Sequence, residues 1–542
     1  MTNAVMRLVS IAEMRAIEKE GDAAGVSYTE MMERAGRGVA QVVHDAYGQS
    51  RPGGVVGLVG SGNNGGDTLV ALETLASLGW RVKAVLVRPR PEDDPYLARV
   101  IQAHGDVLAV ETEASWEKLE HWLGSADVLL DGVLGTGVQL PLKPELEAWF
   151  EHLLDFRLPR HIVAVDCPSG VDCDSGEAAR WVIPAELTIC MDAVKVGLLR
   201  FPAYNFVGSL QVVELGLPED LKALKTVQSY VVSERQVAEI LPLRPKDAHK
   251  GTFGTALVVA GSVNFTGAAA LAGEAAYRIG AGLVRLAVPS PLHPVLSGLL
   301  PEITWLLLPH EMGVIAEGAE DVLFAHLERV TGLLVGPGLG MEQTTAHFMQ
   351  RLLSAGSAEA KREGLGFLGS SQRKKGPMPV LPPFVVDADG LKHLAHIPDW
   401  PKRLPPGTIL TPHPGEMSVL TGLEVAAIQN DRMEIARKYA VEWGHVVVLK
   451  GAMTVVADPA GRTFVIPVAT AALARAGTGD VLAGLIVGLR AQGVSALDAA
   501  VAGAWIHAQA GLAAIELVGH PASVLAGDVL AAVPEVLHGF VH

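Results

Sequence analysis

The stretch Ala476-Gly477-Thr478-Gly479-Asp480 is followed directly by an apolar run over residues 481–489. Glycines on both sides of a threonine, before a long apolar pattern, predict a tight turn that opens a buried helix. The N-terminus of a helix presents unpaired N–H groups and the positive end of the helix dipole, and both favour phosphate. Asp480 would then be a base beside that phosphate, but an aspartate that only caps the helix fits the same residues.

The same alternation of strand, glycine turn and helix recurs along the chain. Its 542 residues exceed what one ordinary core accommodates, so two or more domains are expected. Apolar residues make up 49% and aromatic residues 5%, a balance typical of layered α/β proteins with buried parallel strands. The pattern weakens between residues 217 and 248, where Pro242 and Pro245 fall. We therefore predict two three-layer α/β domains, residues 1–227 and 228–542.

Charge and hydropathy exclude several classes of partner. The net charge of −16 argues against nucleic acid, because proteins that bind it usually present a basic surface. The three cysteines form no C-x-x-C pair, which suits a reducing compartment. Residues 1–18 lack the apolar core of a signal peptide, and His507 and Gln509 interrupt the apolar stretch 499–515. We expect a cytoplasmic protein without a membrane partner.

Two helices are predicted between Ser10 and Tyr47, separated by the turn residues 25–27. Thr29 is expected to cap the second helix. The apolar stripe of that helix, residues 31–42, includes two methionines and is typical of a core face or of an interface between subunits. This helix is therefore the candidate surface for forming a homo-oligomer.

A buried strand over residues 54–59 runs straight into a glycine-rich turn and then into a leucine-rich helix. Strand, glycine turn and helix form the phosphate site of a doubly wound fold. Two asparagines and an aspartate set this turn apart from the usual dinucleotide turn, since their oxygens suit a hard cation or ribose hydroxyls as well as phosphate. Asparagines that only satisfy the backbone of a polar turn are the alternative.

Two further strands of the first half end in polar loops. Residues 126–131 end at Asp131 before a glycine-rich loop, and residues 161–166 end at Asp166 before a loop that carries Ser169. Ligands of parallel sheets bind outside the carboxyl ends of the strands. These two loops and the glycine-rich turn are therefore expected to meet at one edge of the sheet.

These motifs resemble the NAD(P)H-hydrate epimerase family through residues 63–67, Asp131 with residues 135–137, and residues 166–170, extended by Lys195 and Gly197. The resemblance implies a Rossmann-like domain that interconverts the R and S forms of hydrated NADH and NADPH (NADHX and NADPHX). It implies a potassium ion at Asn64, Asp131 and Ser169. Thr68 departs from the family, which usually has a further glycine there. The resemblance places the hydrate at Asn63, Asn64, Gly65, Gly66, Asp67, Gly135, Thr136, Gly137, Val138, Gln139, Leu140, Pro141 and Asp166.

Epimerisation at C6 of the hydrated ring requires the C–O bond to open through an iminium-like species. An acid or base beside C6 and a site that shields the cation would serve this reaction. Asp166 is the first candidate for the catalytic group, and Asp67 is the second candidate. The residues alone do not distinguish the two.

The second half keeps the α/β pattern with different motifs at the strand ends. A lysine at a strand end is usually a solvated terminus, but Lys450 ahead of a phosphate-type helix favours a contact with a nucleotide. The motifs are His249-Lys250-Gly251, Gly336-Pro337-Gly338-Leu339-Gly340, Asp387-Ala388-Asp389, His413-Pro414-Gly415-Glu416 and Lys450-Gly451.

Together with residues 477–480, these motifs resemble the NAD(P)H-hydrate dehydratase family, which has a ribokinase-like α/β fold. The resemblance implies ADP (in bacteria) or ATP (in eukaryotes) as co-substrate. It places the hydrate at Ala268, Gly338, His413 and Asp480, and the adenine nucleotide at Lys450, Gly451, Ala452, Met453, Thr454 and Gly479. With both resemblances in one chain, the whole is similar to the bifunctional NAD(P)H-hydrate repair enzymes.

Water elimination from the hydrate is slow because hydroxide is a poor leaving group. Asp480 would accept the proton of the C6 hydroxyl while that oxygen attacks the terminal phosphorus of the nucleotide. The N–H groups of residues 477–479 and Mg²⁺ would bear the developing charge. His413 would position the hydrate or shuttle a proton, although an isolated histidine is more often only hydrogen-bonded.

Two other functions fit parts of the sequence. A ribokinase-like kinase that phosphorylates a vitamin precursor would share the Gly-x-Gly-Asp base, but it needs neither residues 413–416 nor the fused first half. A nucleotide-binding regulator with inactive sites is the second alternative. Residues 354–382 are longer than the connection usual in the family. They predict a flexible surface loop, or a basic run that reaches an anionic ligand.

Overall fold

The structure is a computed structural model that describes residues 6–48, 51–91, 93–354 and 380–540. Most of the predicted loop over residues 354–382 lies outside the described residues. The chain divides into two compact units, Met1–Val231 and Val232–His542. The sequence placed the boundary after residue 227. The first unit extends further because the strand Ser229–Val231 pairs antiparallel with Met6–Val9 at the start of the chain.

The first unit is an alternation of strands and helices. Its strands are β1 (Met6–Val9), β2 (Gly54–Val59), β3 (Arg81–Leu86), β4 (Asp106–Ala109), β5 (Val128–Gly132), β6 (His161–Val165), β7 (Leu187–Met191), β8 (Val194–Lys195), β9 (Ser209–Val213) and β10 (Ser229–Val231). Its helices are α1 (Ile11–Ala23), α2 (Tyr28–Tyr47), α3 (Asn63–Ser77), α4 (Pro95–Gln102), α5 (Glu113–Gly124), α6 (Pro144–Leu154) and α7 (Lys222–Thr226).

Seven of these strands form a parallel sheet in the order β4-β3-β2-β5-β6-β7-β9. Successive residues of β2 face opposite sides of the sheet, as strand geometry requires. Val55 and Val59 pack with α2 and α3, whereas Val56 and Leu58 pack with α5 and α6. The sheet thus lies between two helical layers, and the predicted three-layer α/β class is confirmed for this unit.

The helix α2 departs from the sequence-based expectation at its start and at its apolar face. Ser27 rather than Thr29 is the cap, since its hydroxyl accepts the N–H of Glu30 at 3.2 Å. Met31 and Val39 are buried in the core of the unit. The stripe is therefore largely a core face, with Met32 and Val42 partly exposed, and its role as an interface between subunits stays a prediction.

The second unit again alternates strands with helices. Its strands are β11 (Thr255–Val259), β12 (Leu283–Pro289), β13 (Thr304–Leu308), β14 (His310–Glu311), β15 (Val314–Ile315), β16 (Gly332–Val335), β17 (Phe384–Val386), β18 (Ile409–Leu410), β19 (Val446–Leu449), β20 (Val455–Ala457) and β21 (Thr463–Val465). Its helices are α8 (Glu234–Ile240), α9 (Thr266–Arg278), α10 (His293–Leu296), α11 (Ala319–Phe324), α12 (Gln343–Ser354), α13 (Asp389–Leu394), α14 (Trp400–Arg403), α15 (Pro414–Thr421), α16 (Val425–Asn430), α17 (Arg432–Trp443), α18 (Thr478–Ala491), α19 (Ala496–Val518) and α20 (Ala526–His538).

The main sheet of the second unit has the order β13-β12-β11-β16-β17-β18-β19-β20-β21. Its strands are parallel up to β19, and β20 and β21 continue it antiparallel. The helix α18 packs against the strands β16, β11 and β17 and against the helices α9 and α19. It is buried on almost every side, as the continuous apolar run of residues 481–489 predicts.

The helix α19 is apolar and long enough to cross a membrane by length and composition alone, with a mean hydropathy of 1.3 in its most apolar window. Within the structure, 61% of that window is buried. Core helices of this kind pass the same test as membrane spans, so this property is weak evidence for a span. The sequence-based expectation of a buried helix agrees with this packing.

Candidate active sites

The glycine-rich turn of the first unit is shorter than the sequence suggests. Gly62 is the N-cap of α3, so residues 63–67 form the start of the helix rather than a loop. The reason is the close approach of the helix to the strand it follows: a Cβ added at Gly65 would lie 2.0 Å from the carbonyl oxygen of Gly60. The N–H groups at the start of α3 are thereby presented at the carboxyl edge of the sheet.

Three polar loops meet at this edge, as expected. Asn64 Nδ2 donates to the carbonyl of Leu134 at 2.8 Å, and the N–H of Leu134 donates to Ser169 Oγ at 2.9 Å. Ser169 in turn donates its hydroxyl to Asp131 Oδ1 at 2.5 Å and its N–H to Asp131 Oδ2 at 2.8 Å. The three residues that the resemblance assigns to potassium therefore belong to one hydrogen-bonded cluster.

One oxygen of this cluster has no partner. Asn64 Oδ1 is buried and accepts no hydrogen bond from the residues that the structure describes, although leaving such an atom unpaired is costly. Burial raises the pKa of Asp131 to about 6, against the hydrogen bonds from Ser169, which lower it. An oxygen-only donor set with one orphaned atom suits a large, weakly hydrated cation. The residues present thus fit a potassium ion.

A cavity of about 910 Å³ opens beside the cluster. Of the predicted hydrate residues, Gly65, Gly66, Leu140 and Pro141 do not border it. Residues that the prediction did not include also line it, among them Arg15, Glu18, Arg88 and Lys143. The predicted residues that line it are Asn63, Asn64, Asp67, Gly135, Thr136, Gly137, Val138, Gln139 and Asp166.

Asp166 is fixed from behind by a buried lysine. The Lys195 side chain is 1% exposed, and its ammonium donates to Asp166 Oδ1, which also accepts the N–H of Met191 at 3.0 Å. Burial alone would lower the pKa of Lys195, but the Asp166 carboxylate raises it overall. Asp166 has φ 64°, a left-handed conformation that is costly outside glycine and is typical of functional sites.

Two further carboxyl groups lie near Asp166. Burial raises the pKa of Asp67 well above its usual value, and the negative charge of Asp166 raises it further. Burial also raises the pKa of Glu18, on α1, against the attraction of Lys195. The site thus combines an ion-paired carboxylate with a neighbouring carboxyl group of raised pKa. Environments that separate two carboxyl groups in this way are typical of acid–base catalysis.

The second unit gathers its polar motifs around another lysine. Lys450, just after β19, donates to Asp387 Oδ1 at 2.6 Å and lies 3.5 Å from Glu416 Oε2. Thr411 donates to the same Asp387 oxygen at 2.7 Å. The other oxygen, Asp387 Oδ2, is buried without a partner among the described residues. Burial lowers the pKa of Lys450, but Asp387 and Glu416 raise it overall.

The turn 476–480 brings Asp480 next to this network. Gly477, with φ 92°, is the N-cap of α18, so Asp480 lies inside the first turn and is not the cap. The Thr478 hydroxyl fixes the turn by donating to the carbonyls of Leu473 and Arg475 at 3.0 and 2.8 Å. A Cβ added at Gly479 would lie 3.5 Å from Lys450 Nζ, so the lysine reaches the start of the helix.

Burial raises the pKa of Asp480 to about 7, with Asp387 raising it further and Lys450 lowering it. A carboxyl group near its pKa at neutral pH is suited to general base catalysis. It lines a cavity of about 520 Å³ together with Asp387, Glu416, His413 and Lys450. Gly451, Ala452, Thr454 and Gly479 line it as well.

Three predicted residues lie elsewhere. Ala268 and Gly338 contact each other, since a Cβ added at Gly338 would lie 2.8 Å from the Ala268 Cβ, but neither lines the cavity with Asp480. Met453 is 6% exposed and its N–H pairs with the carbonyl of Val468. It lies in the turn between β19 and β20 with φ 53°, and it does not line the cavity.

His413 caps a helix as well as lining the cavity. Its Nδ1 accepts the N–H groups of Gly415 and Glu416 at 2.9 and 3.2 Å, and its Nε2 lies 3.4 Å from Glu416 Oε1. Burial lowers the pKa of His413, against the attraction of Glu416. Its ring is therefore neutral and donates through Nε2. The expectation that His413 is hydrogen-bonded within the protein is met, and this is compatible with a role in binding.

Sequence reasoning did not assign a role to several residues of these sites. Asp387 was visible as a carboxylate at a strand end, and His507 as a polar residue that interrupts an apolar helix. His507 lines the second cavity, its Nε2 has no partner among the described residues, and burial lowers its pKa to about 4. Glu18 carried no comparable signal, because a charged residue in α1 reads as part of an exposed face.

Two family models match the chain. The model described as NAD(P)H-hydrate dehydratase matches residues 256–534, and the one described as YjeF-related protein N-terminus matches residues 28–197. The bifunctional NAD(P)H-hydrate repair enzyme of Moorella thermoacetica is 35% identical, covering 98% of this chain and 97% of that protein. The enzyme of the same name from Salinibacter ruber is 38% identical, over 93% of this chain and 91% of that protein.

Among solved structures, the ADP/ATP-dependent NAD(P)H-hydrate dehydratase of Bacillus subtilis, co-crystallised with ATP and Mg²⁺, is 29% identical. The match has a TM-score of 0.44 and covers 57% of this chain and 98% of that one. The fold and the two sites define an α/β protein in which each unit has a cavity lined by carboxyl groups at the ends of its strands. The chain belongs to the family of bifunctional NAD(P)H-hydrate repair enzymes.

Proposed function

We propose that this chain repairs hydrated NADH and NADPH in two steps. The first unit epimerises the R and S hydrates at C6, and the second dehydrates the S form to NADH or NADPH at the expense of ADP or ATP. The observation that carries this proposal is the pair of cavities at the strand ends, each with a lysine-paired aspartate and a second carboxyl group of raised pKa. The identity of the substrates is inferred from the family to which the chain belongs.

In the first unit, Asp67 and Asp166 share the acid–base work. Asp67 gives its proton to the C6 hydroxyl as the C–O bond breaks, so water leaves and the ring becomes an iminium-like cation. Asp166 takes a proton from a water molecule that adds to the other face of C6. Lys195 positions the Asp166 carboxylate through their ion pair. Because either hydrate can enter, the same pair serves both directions.

Potassium is part of this proposal. Asn64, Asp131 and Ser169 would hold it, with the unpartnered Asn64 Oδ1 as a ligand. When bound, it supplies positive charge that neutralises Asp131 and orders the three loops. Nothing in the acid–base steps of Asp67 and Asp166 passes through the ion.

In the second unit, Asp480 accepts the proton of the C6 hydroxyl while that oxygen forms a bond to the terminal phosphorus of the nucleotide. The bond from that phosphorus to the rest of the nucleotide breaks. The C6–O bond of the resulting phosphate ester then breaks and releases inorganic phosphate, driven by the ring nitrogen, and the loss of a proton from C5 to the phosphate or to solvent restores the C5–C6 double bond. Lys450 lies at the start of α18 to bind the transferring phosphate. The unpartnered Asp387 Oδ2 fits the Mg²⁺ that accompanies the nucleotide, whose charge neutralises the phosphates.

The cellular location and the partners of the chain are inferred from its charge and its cysteines. We propose a cytoplasmic homo-oligomer that acts on small molecules and has neither nucleic-acid nor membrane partners. The three buried, unpaired cysteines support a reducing compartment such as the cytoplasm. The net charge of −16 supports the absence of nucleic-acid partners.

Incubation with separated R and S hydrates tests the proposal. The S hydrate should recover its dihydronicotinamide absorbance with ADP or ATP, and the R hydrate should do so only when the first unit is active. Comparing ADP with ATP, with and without potassium, assigns the co-substrate and the ion. A chain that phosphorylates a vitamin precursor and leaves both hydrates unchanged would instead be a ribokinase-like small-molecule kinase. Nucleotide binding without any turnover would indicate a regulator.

A further inference from the structure

Arg88 borders the cavity of the first unit beside the glycine turn. The strand β3 is the parallel neighbour of β2, and the N–H of Val87 still donates to the carbonyl of Val59 at 3.1 Å. The chain leaves the sheet directly after this bond. Arg88 therefore lies at the same edge as residues 60–62, where β2 turns into α3.

Two arginines follow β3, and the fold uses only one of them. Arg90 donates through Nη1 to the carbonyls of Gly60 and Gly62 at 2.6 and 3.2 Å, and through Nε to Asp94 at 2.7 Å. Arg88 makes no ion pair or hydrogen bond with any other residue that the structure describes. Its guanidinium is thus available to an anion in the cavity.

The topology of the sheet indicates which anionic group of a dinucleotide would lie near Arg88. The glycines at 60, 62 and 65 have the G-x-G-x-x-G spacing of dinucleotide-binding turns, despite the asparagines between them. In that arrangement the pyrophosphate lies at the N-terminus of the first helix. The residue that follows the next strand reaches the adenosine ribose, where an acid binds the 2′-hydroxyl and an arginine accommodates a 2′-phosphate.

Hydrated NADH and hydrated NADPH differ only in that 2′-phosphate. We propose that Arg88 binds the 2′-phosphate of hydrated NADPH and makes the epimerase site of the first unit favour it over hydrated NADH. This inference rests on the proposed function of the first unit. The planar guanidinium offers two parallel N–H donors to a phosphate, a match that a lysine ammonium cannot reproduce.

The other cations of the cavity lie differently. Arg15 is on α1, close enough to Glu18 to lower the pKa of that carboxyl group, although burial raises it overall. Lys143 is the N-cap of α6, after the loop of residues 135–142. Lys143 follows the loop between β5 and α6 and not the strand β3, so it offers a matched control. Its replacement removes the same charge from the same cavity at a position that the dinucleotide arrangement does not assign to the ribose.

The test compares epimerisation of the two hydrates by the full chain without nucleotide, so that only the first unit acts. Conversion of the purified R hydrates of NADH and NADPH to the S forms is followed by chromatography for the unaltered chain, Arg88→Ala, Arg88→Lys and Lys143→Ala. For Arg88→Ala we expect kcat/KM with hydrated NADPH to fall about tenfold to a hundredfold. With hydrated NADH it should change by less than about twofold.

The remaining variants make the result specific. Arg88→Lys keeps the positive charge but not the two parallel N–H donors of the guanidinium. Its decrease in kcat/KM with hydrated NADPH should therefore be smaller than that of Arg88→Ala. Lys143→Ala should affect both hydrates alike. Equal losses with both hydrates in Arg88→Ala, or no loss with either, would overturn the proposal. If the unaltered chain epimerises neither hydrate, the proposed function is wrong, and the proposal for Arg88 is wrong with it. This result differs from a failure of the Arg88 proposal alone, in which the unaltered chain is active. Thermal unfolding of each variant shows that it is folded.

Discussion

Lys195 in the first unit and Lys450 in the second each pair with the aspartate that follows a strand, yet the two lysines are exposed to their cavities to different degrees. Lys195 is 1% exposed and serves Asp166 from behind the site. The Lys450 side chain is 17% exposed, borders its cavity and reaches the first turn of α18. A buried lysine can thus orient one carboxylate, or it can orient one and act on a ligand as well.

The second carboxyl groups of the two cavities also differ. Burial raises the pKa of Asp67 well above its usual value, and the charges of Asp166 and Glu18 raise it further against the attraction of Lys195. Burial raises the pKa of Asp480 to about 7, where Asp387 raises it further and Lys450 lowers it. A carboxyl group of strongly raised pKa is suited to donate a proton to a leaving hydroxyl, and a group near pKa 7 is suited to accept one. This difference supports the proposal of an acid in the first unit and a base in the second.

The largest expected effect is the loss of the base in the second unit. Asp480→Asn removes the proton acceptor but keeps the shape of the side chain, so kcat for dehydration should fall by about 10²- to 10⁴-fold. Recovery of the dihydronicotinamide absorbance from the S hydrate measures it, and calorimetry should still detect nucleotide binding. The matched change Asp498→Asn, in the first turn of α19, should leave turnover near its original rate. Unchanged turnover in Asp480→Asn would remove Asp480 from the mechanism.

The acid–base pair of the first unit should be nearly as sensitive. Asp166→Asn and Asp67→Asn should each lower epimerisation by about 10²-fold or more, because each removes one proton-transfer group. Exchange between the separated R and S hydrates, followed by chromatography without nucleotide, is the measurement. Asp155→Asn at the exposed end of α6 is the control. Full activity in Asp67→Asn would leave Asp166 as the one acid–base group.

The exposure of the two aspartates that pair with the lysines predicts different costs in stability. Removing one partner of a fully buried ion pair costs about 3–5 kcal/mol, because the remaining charge is left unpaired. Lys195→Met leaves Asp166, whose side chain is 13% exposed, whereas Lys450→Met leaves Asp387, which is 1% exposed. Lys450→Met should therefore lower the free energy of unfolding of the second unit by more than Lys195→Met lowers that of the first. Denaturant unfolding of each variant checks the order, with Lys225→Met on the exposed side of α7 as a control. Equal losses would show that exposure does not separate the pairs.

The pH dependence should distinguish acid from base. Asp480 must be ionised to accept a proton, so kcat/KM for dehydration should rise as the pH increases through about 7 and level off above it. Asp67 must be protonated to donate, and its pKa is raised, so epimerisation should persist to a higher pH than an ordinary aspartic acid allows and then fall. Rate profiles of the two half-reactions measure this. Parallel profiles would contradict the assignment of opposite roles.

The smallest expected effect concerns potassium. The unpartnered amide oxygen lies in the first unit, next to Asp131 and Ser169. If Asn64, Asp131 and Ser169 hold potassium as proposed, replacing it with lithium should lower epimerisation several-fold, because the smaller and more strongly hydrated ion would suit this oxygen-lined position less well. Dehydration of the S hydrate, assayed in the same buffers, is the internal reference. An equal loss in both half-reactions would point to a general salt effect.

The strands and their polar ends could be predicted from local sequence. The strand β2 has the predicted bounds, Asp131 lies at the end of β5, and Asp166 and Asp480 line the two cavities as their motifs predict. Each of these features is encoded within a few consecutive residues. The pairing of β1 with β10 is not, since it joins residues more than two hundred positions apart, and this pairing moved the unit boundary.

The electrostatics of the sites were less accessible. Lys195 was matched as part of a motif, but its pairing with Asp166 depends on how β6 and β8 are brought together. Burial of Asp67 depends on α2 and α3 packing closely, which no single stretch encodes. Ala268 and Gly338 were assigned by resemblance alone, and they lie outside the cavity that contains Asp480. Contacts that fix a pKa are long-range, so local patterns cannot supply them.

Thr68 stands where the resemblance implies a glycine, and its surroundings show how the chain accommodates the larger residue. Its hydroxyl donates to the carbonyl of Asn64 at 2.8 Å, and a Cβ added at Gly132 would lie 1.8 Å from Thr68 Oγ1. The two positions therefore share one volume. A side chain larger than that of glycine would fit at position 132 only if position 68 held a residue smaller than threonine.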